Sequence, residues 1–381
     1  MDFSFTEEQT LLRNSVARFV ADNYTFEARR EIVKSAEGWR PDYWKQFAEL
    51  GLLAAPFAEE HGGLGGGPIE TMVILEEFGR GLVVEPYLPT VVIGGAFLRH
   101  AGSAAQKEEL LPQIVEGSLV TSFAFAEPQA RFDLFDVRTS AKKSGGGYTL
   151  NGHKSVAIAA PMAGKLIVTA RTAGGQRDAK GIGVFLVDAT AKGVTLESYP
   201  TVDGLRAADV RLDNVAVGAD ALLGEAENGL PLVERVVDEA IAALSAEAMG
   251  VHRKMLELTL DYTKTRQQFG QPISKFQALQ HRMADMFVHV EESVSMAYMV
   301  ALKLDAPEAE RKAAAAAAKA QLGRAGRFIG QNAIQLHGGM GMTEEMAVGH
   351  YFKRATMMNI LFGDTDHHTR RFAELTQGAA A

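Results

Sequence analysis

Residues 262–280 read YTKTRQQFGQPISKFQALQ. Tyr262, Arg266, Phe269, Gly270, Pro272 and Ile273 make the pattern Tyr-x-x-x-Arg-x-x-Phe-Gly-x-Pro-Ile, and the stretch runs on through Phe276, Gln277 and Gln280. It lies between two long helical patterns. Upstream, Leu232 to Arg266 is nearly continuous, with Gly250 as the one break. Downstream come Phe276 to Leu304 and Glu308 to Leu336; the latter carries the alanine run Ala313–Ala318, a good helix former rather than a disordered tract. Gly338-Gly339-Met340-Gly341 reads as a turn, and His350–Leu361 and His367–Gln377 as closing helices.

Further toward the N-terminus the texture changes. Leu119–Glu127, Arg138–Lys142, Tyr148–Leu150, Lys165–Arg171, Gly181–Val187, Val194–Tyr199 and Asp209–Leu212 are short and rich in β-formers. Lys143-Ser144-Gly145-Gly146-Gly147, Asn151-Gly152 and Gly174-Gly175 read as turns between them. Closely spaced strands without intervening helices predict an antiparallel barrel or sandwich.

The first residues are helical again. Thr6 and Gln9 have capping-box spacing, followed by Leu12, Val16, Phe19 and Val20 on one face. Trp44, Phe47, Leu50 and Leu53 predict a helix ended by Pro56, and Ile69–Arg80 and Ala105–Glu116 two more. The expected class is therefore α+β in three domains: helical over 1–118, antiparallel β over 119–225 and helical over 226–381.

The chain of 381 residues carries 39 Lys and Arg against 47 Asp and Glu, a net charge of −8, which argues against a surface built for nucleic acid. Apolar residues at 47% and charged residues at 23% exclude disorder over most of its length. The absence of cysteine excludes disulfides, thiolate metal sites and a cysteine nucleophile. The opening MDFSFTEEQ lacks the basic-then-apolar layout of a signal peptide. The uncharged run Pro86–Leu98 is shorter than the ~20 residues of a membrane span, so a cytoplasmic protein is expected.

Several segments now line up as a signature. Beside the 262–280 stretch stand Gln335-Leu-His-Gly-Gly-Met-Gly341, Glu59-Glu60-His61-Gly62-Gly63, Glu76-Glu77-Phe78-Gly79-Arg80, Glu127-Pro128 and Leu223-Gly224-Glu225-x-x-x-Gly229. In order and spacing, over essentially the whole chain, they resemble the acyl-CoA dehydrogenase family. The resemblance implies an N-terminal helical domain, a middle β domain and a C-terminal four-helix bundle, with FAD between the last two. It implies oxidation of the Cα–Cβ bond of an acyl-CoA thioester to the trans-2-enoyl-CoA, as in β-oxidation. A carboxylate base takes the α proton, hydride passes to the flavin, and an electron-transferring flavoprotein collects the electrons. Removing that proton needs a desolvated base and a polarised carbonyl.

The resemblance also assigns residues. Arg266 and Phe269 match positions that contact the FAD of a neighbouring subunit, and Gln335, Gly338 and Gly339 the loop at its adenosine end. A guanidinium suits diphosphate, and glycines admit backbone amides to phosphate. Thr365 and His367 are assigned to the cofactor too. Read without the family, Arg266 is a solvated cation at a helix end and the glycines a C-cap turn. Gly62–Gly67 lacks the Lys-Ser/Thr and preceding strand of a phosphate loop and reads as a surface loop. Asp364-Thr365-Asp366-His367-His368 has a metal-like composition, but no metal is expected; Asp366 reads as the N-cap of the last helix.

Departures from the family pattern sit where the chemistry belongs. The family's aromatic-Glu-Gly-Thr segment is Phe362-Gly363-Asp364-Thr365, so the usual base position holds Gly363. The alternative base position on the first long C-terminal helix holds Ala240. Asp364, Glu239 and Glu247 are the nearby carboxylates, and Asp364 is the candidate catalytic residue. The segment Ala126-Glu127-Pro128-Gln129-Ala130-Arg131-Phe132-Asp133 replaces the usual small hydroxyl by Phe132, and Val156-Ala157-Ile158 stands for the flavin-contacting Trp-Ile-Thr/Ser. The side given to a neighbour's FAD is intact while the chain's own side is altered. That asymmetry is similar to the small subunits of heteromeric acyl-CoA dehydrogenases, such as that of pimeloyl-CoA dehydrogenase. It implies an α2β2 heterotetramer with a partner subunit bearing the base. A self-sufficient homo-oligomer using Asp364, and a non-catalytic scaffold, are the alternatives.

Overall fold

The computed structural model describes residues 4–377. The chain divides into two compact units, one of residues 32–67 and 84–240, the other of residues 1–31, 68–83 and 241–381.

The first unit is built on a sheet of eight strands: β1 (Thr121–Ala124), β2 (Ser140–Ser144), β3 (Gly147–Ile158), β4 (Lys165–Arg171), β5 (Ile182–Asp188), β6 (Val194–Pro200), β7 (Arg206–Gly218) and β8 (Leu222–Leu223). Their order is β6-β7-β3-β2-β4-β5-β8, with β1 beside β4. Most neighbours are antiparallel, as the spacing predicts. However, β1 runs parallel to β4 from Thr121↔Lys165, and β2 meets β4 in parallel at Ser140↔Arg171. Gly145 (φ +60°) and Gly146 (φ +84°) form the two-residue turn of the β2–β3 hairpin. Asn151-Gly152, read as a turn, lies inside β3 at an irregularity in its pairing with β7. There the Asn151 Oδ1 accepts from the Asn214 N–H, so the turn-forming side chain serves a bulge. Leu150, Leu166, Val168, Phe185, Val187, Val210 and Val215 pack under the sheet with no exposed surface. Full burial of such side chains stabilises by about 1.5–3 kcal/mol each, which holds the sheet together without a disulfide.

Around it lie α3 (Pro41–Glu49), α5 (Gly95–Ala101) and α6 (Ala104–Val115), while α2 (Phe26–Lys34) crosses from one unit into the other. The helix predicted to run to Pro56 ends at Glu49; Leu50 and Gly51 leave it through turns on Gln46 O and Ala48 O. The uncharged run Pro86–Leu98 is a buried π-helical turn, Leu88–Gly94, leading into α5. No helix among the described residues is long and apolar enough to cross a membrane.

The second unit is helical: α1 (Glu7–Asn23), α4 (Pro68–Gly81), the greater part of α7 (Leu230–Thr265), α8 (Gln277–Leu302), α9 (Glu308–His337), α10 (Ala347–Ile360) and α11 (Thr365–Gln377). The capping box at Thr6 and Gln9 starts α1 as its sequence predicts. Gly250 does not break α7. A Cβ there would collide with the Glu76 carbonyl, and one on Gly79 with the Glu247 carbonyl, so two glycines let α4 and α7 touch backbone to backbone. On α9, Gly323, Gly326 and Gly330 recur at helical spacing. Their bare face admits Asn359 and Thr365, Ala355, and the Phe352 ring in turn. α9 therefore sits under both α10 and α11 and fixes where the turn between them lies.

Candidate functional site

The stretch from Tyr262 to Pro272 folds as a helix end and a hairpin. α7 ends at Thr265, and β9 (Gln267–Gln268) pairs with β10 (Gln271–Pro272) across Phe269-Gly270. Phe269 (φ +55°) and Gly270 (φ +76°) both take the left-handed conformation that a two-residue hairpin turn demands. The turn projects Phe269, which is 90% exposed. Arg266 is also exposed at the base of this hairpin, and no partner for its guanidinium occurs among the described residues. One helical turn earlier, Tyr262 stacks on His337 with ring centroids 4.4 Å apart. His337 is buried and hydrogen-bonded through Nδ1 to the Ala333 carbonyl at 2.8 Å, and burial holds it below the ordinary imidazole range. This stack ties the end of α7 to the end of α9. Arg266 follows four residues after Tyr262, and Gly338 directly follows His337. Gln335, Gly338 and Gly339 are exposed there, with open space where side chains on the two glycines would stand.

Thr365 and His367 are elsewhere. Thr365 packs against Gly323 of α9, twelve residues before Gln335, or about 18 Å along the helix. Thr365 thus lies at a different height on α9 from Gln335.

Thr365 and His367 follow the turn from α10 to α11. Phe362 (φ +57°) and Gly363 (φ +110°) are both left-handed. A Cβ on Gly363 would lie 2.6 Å from His367 Cδ2 and 2.7 Å from His368 Nε2, so two imidazoles fill the space a side chain would need. Asp364 Oδ1 accepts the His367 N–H at 2.8 Å, which makes Asp364 the N-cap of α11. The expectation of Asp366 as cap is off by two residues: α11 starts at Thr365, and Asp366 is an exposed first-turn residue. Thr365 donates through both N–H and Oγ1 to Asn359 Oδ1. Beneath the turn, Lys319 of α9 is fully buried and donates to the carbonyls of Asn359 and Gly363. No group of three or more metal-binding side chains occurs among the described residues.

The other two carboxylates are engaged. Glu239 takes hydrogen bonds from Arg99 (2.9 Å), His100 (2.6 Å) and Arg235 (2.9 Å). Burial alone raises its pKa, but the hydrogen bond from His100 and the charges of Arg99 and Arg235 outweigh that and hold it below the usual range. Glu247 is held by Arg354 at both oxygens, each at 2.7 Å. Ala240 is 1% exposed and offers only a methyl group.

In the sheet unit, Glu127 is buried against Lys154 Nζ at 2.7 Å and accepts the N–H groups of Arg138 and Thr139. Val156 is left-handed (φ +54°), a strained conformation for a β-branched residue, and 43% exposed. Its N–H is held by Asp209 Oδ1, which also accepts from Tyr199.

Three domain models match this chain: acyl-CoA dehydrogenase N-terminal domain over residues 6–118, middle domain over 122–215 and C-terminal domain over 227–375. The chain belongs to the acyl-CoA dehydrogenase family. Acyl-CoA dehydrogenases are oxidoreductases that act on CH–CH groups with FAD. A curated relative is the probable acyl-CoA dehydrogenase YngJ of Bacillus subtilis (strain 168), 34% identical over 378 residues that cover 96% of this chain and 97% of that one. Among solved structures, a variant of the Tcur3481-Tcur3483 steroid ACAD is 30% identical with a TM-score of 0.89, covering 98% of this chain and 99% of that one. The ChsE4-ChsE5 complex from Mycobacterium tuberculosis is 26% identical with a TM-score of 0.90, and 99% of each chain is covered.

Within this acyl-CoA dehydrogenase, sequence reasoning missed Lys319, His368, Arg354 and the Tyr262–His337 stack. For Lys319 a signal was available. It is the one charged residue in 313–323, AAAAAAKAQLG, a stretch too apolar to face water.

Proposed function

We propose that this chain is the partner subunit of a heteromeric, FAD-dependent acyl-CoA dehydrogenase, completing the FAD site of a second subunit that carries the base. The observation that carries the reading is the turn at Gly363. Its backbone is left-handed, and His367 and His368 stand where a carboxylate side chain would project. Glu239 and Glu247 cannot substitute while held by arginines at hydrogen-bond distance. Two of the similar structures, Tcur3481-Tcur3483 and ChsE4-ChsE5, are each named for two chains, which supports the same reading.

The residues present fit one side of FAD. The unpaired Arg266 guanidinium can take a diphosphate, Gly338 and Gly339 leave room for phosphate or ribose against backbone, and the exposed Phe269 ring can cover an apolar face. FAD held there would supply a hydride acceptor for the β carbon of an acyl-CoA. Val156 offers no aromatic ring for a flavin on the sheet unit.

The substrate class is an acyl-CoA thioester, and an electron-transferring flavoprotein is the expected acceptor. The test is co-expression with a second acyl-CoA dehydrogenase subunit from the same organism. Arg266→Ala then lowers flavin occupancy of the assembled enzyme, whereas Asp364→Asn leaves turnover intact. Full turnover by this chain alone, abolished by Asp364→Asn, would show instead a self-sufficient enzyme with Asp364 as base.

A further inference from the structure

The imidazole of His337 does more than end α9. It is 3% exposed, and its Nδ1 lies 2.8 Å from Ala333 O, one turn back on the same helix. A carbonyl can only accept, so Nδ1 carries the proton. Burial lowers the pKa of the ring against the pull of that hydrogen bond, so the ring is neutral. The bond to Ala333 also fixes the plane of the imidazole. Tyr262 rests on that plane as a stacked pair, with centroids 4.4 Å apart and rings 25° from parallel.

Each ring belongs to a residue whose backbone leads into a different segment. Tyr262 O accepts the Arg266 N–H at 2.8 Å, and Arg266 O accepts the Ile273 N–H at 2.8 Å. The base of the Phe269-Gly270 hairpin therefore hangs on the residue that makes the stack. On the other side, His337 is the last residue of α9. The chain leaves it through Gly338, whose backbone (φ +60°, ψ −144°) takes a conformation left to glycine. The turn Gly338–Met342 then curls back: a Cβ on Gly341 would lie 3.0 Å from His337 Cβ. His337 thus packs against the turn on one side and Tyr262 on the other.

We propose that His337 is a positioning residue which, given the cofactor role proposed above for Arg266 and Gly338, ties the Arg266 hairpin to the Gly338–Met342 turn and so preorganises both for FAD. A flat ring held by one hydrogen bond offers Tyr262 a single plane of contact, whereas an aliphatic side chain of similar volume offers none. Segments already ordered before a ligand arrives cost less to order on binding, so the stack acts on cofactor affinity without touching the cofactor.

Two measurements test this. The first is residue-resolved amide exchange on the full chain without added cofactor. His337→Leu speeds exchange of the Ile273 amide about tenfold, and Tyr262→Leu speeds that of Gly338 by a similar factor, while the buried Val290 of α8 is unmoved. His337→Phe, which keeps a ring, leaves Ile273 near its wild-type rate. The second is titration of FAD into the flavin-free enzyme assembled with a second acyl-CoA dehydrogenase subunit. The dissociation constant rises about tenfold in His337→Leu, returns to within about threefold of wild type in His337→Phe, and is no weaker in the Tyr262→Leu/His337→Leu double variant than in either single one.

The proposal is overturned if neither segment responds to the ring of the other, if Val290 exchanges faster by the same factor, or if His337→Phe is as damaging as His337→Leu. FAD affinity that ignores both rings in the assembled enzyme also overturns it and leaves the partner-subunit reading standing. If instead the chain alone binds FAD and its affinity follows the same order of variants, the positioning role stands and the partner-subunit reading fails.

Discussion

Arg354 grips Glu247 through two hydrogen bonds of 2.7 Å, from α10 to α7, with both side chains 7% exposed. A carboxylate held this way is a structural strut. Removing one partner leaves a buried charge uncompensated, which costs about 3–5 kcal/mol. Arg354→Met should lower unfolding stability by that amount in urea, and Glu247→Leu combined with Arg354→Met should recover much of it. Additive losses in the double variant would show that the two do not act as a pair.

Of Asp364, Glu239 and Glu247, Asp364 is the one not gripped by an arginine, and its geometry is that of a helix cap. Loss of an N-cap costs ~1 kcal/mol, while asparagine caps as well as aspartate. Asp364→Ala should therefore lower the unfolding midpoint and Asp364→Asn should not. Neither should change the pH profile of the assembled enzyme. A profile that loses its acidic limb in Asp364→Asn would make it the base.

Putting the family's glutamate back at the vacant position is not a simple repair. At φ +110° a side chain is strained, and the rings of His367 and His368 occupy its path. Residues forced into sparsely populated backbone regions cost about 1–3 kcal/mol. Gly363→Glu should lose stability by that much and confer no turnover on the purified chain. Measurable dehydrogenation by Gly363→Glu alone contradicts the closed turn.

The pattern of periods and turns made most of the fold legible. Long elements with strong periodicity, α4, α8 and α9, lie within a residue or two of their expected bounds. What the sequence hid was set by distant partners. Gly250 reads as a helix breaker because its role is close contact with Glu76, far away in the chain. Asn151-Gly152 reads as a turn because nothing local shows that Asn214 holds it in a bulge. At the site, the motif residues Arg266 and Gln335 could be found one by one, but the Tyr262–His337 stack that ties the ends of α7 and α9 could not. The emptiness of position 363 was visible in the sequence. That Lys319 of α9 holds this turn from 44 residues away, and that the rings of His367 and His368 fold back onto it, was not.

Acid stability provides a check on the sheet unit. Burial raises the Glu127 carboxyl, but Lys154 at 2.7 Å and hydrogen bonds from Gln129 and Thr139 outweigh it and hold it at about 2, below its ordinary 4.5. The folded value is the lower one, so its contribution is complete above the ordinary value and is lost as pH falls through the folded one. The stability difference between wild type and Glu127→Gln should shrink steadily from about pH 5 to about pH 2. A difference independent of pH across that range would mean the carboxylate is not held by Lys154.

The central claim is that this acyl-CoA dehydrogenase chain supplies one side of an FAD site and depends on another subunit for the rest. The direct measurement is the flavin-to-protein ratio of the purified chain alone, by visible absorbance, with its mass in solution. The account predicts little flavin alone, and flavin restored on co-expression with a second acyl-CoA dehydrogenase subunit. A homo-oligomer carrying close to one FAD per chain and turning over an acyl-CoA without a partner would contradict it.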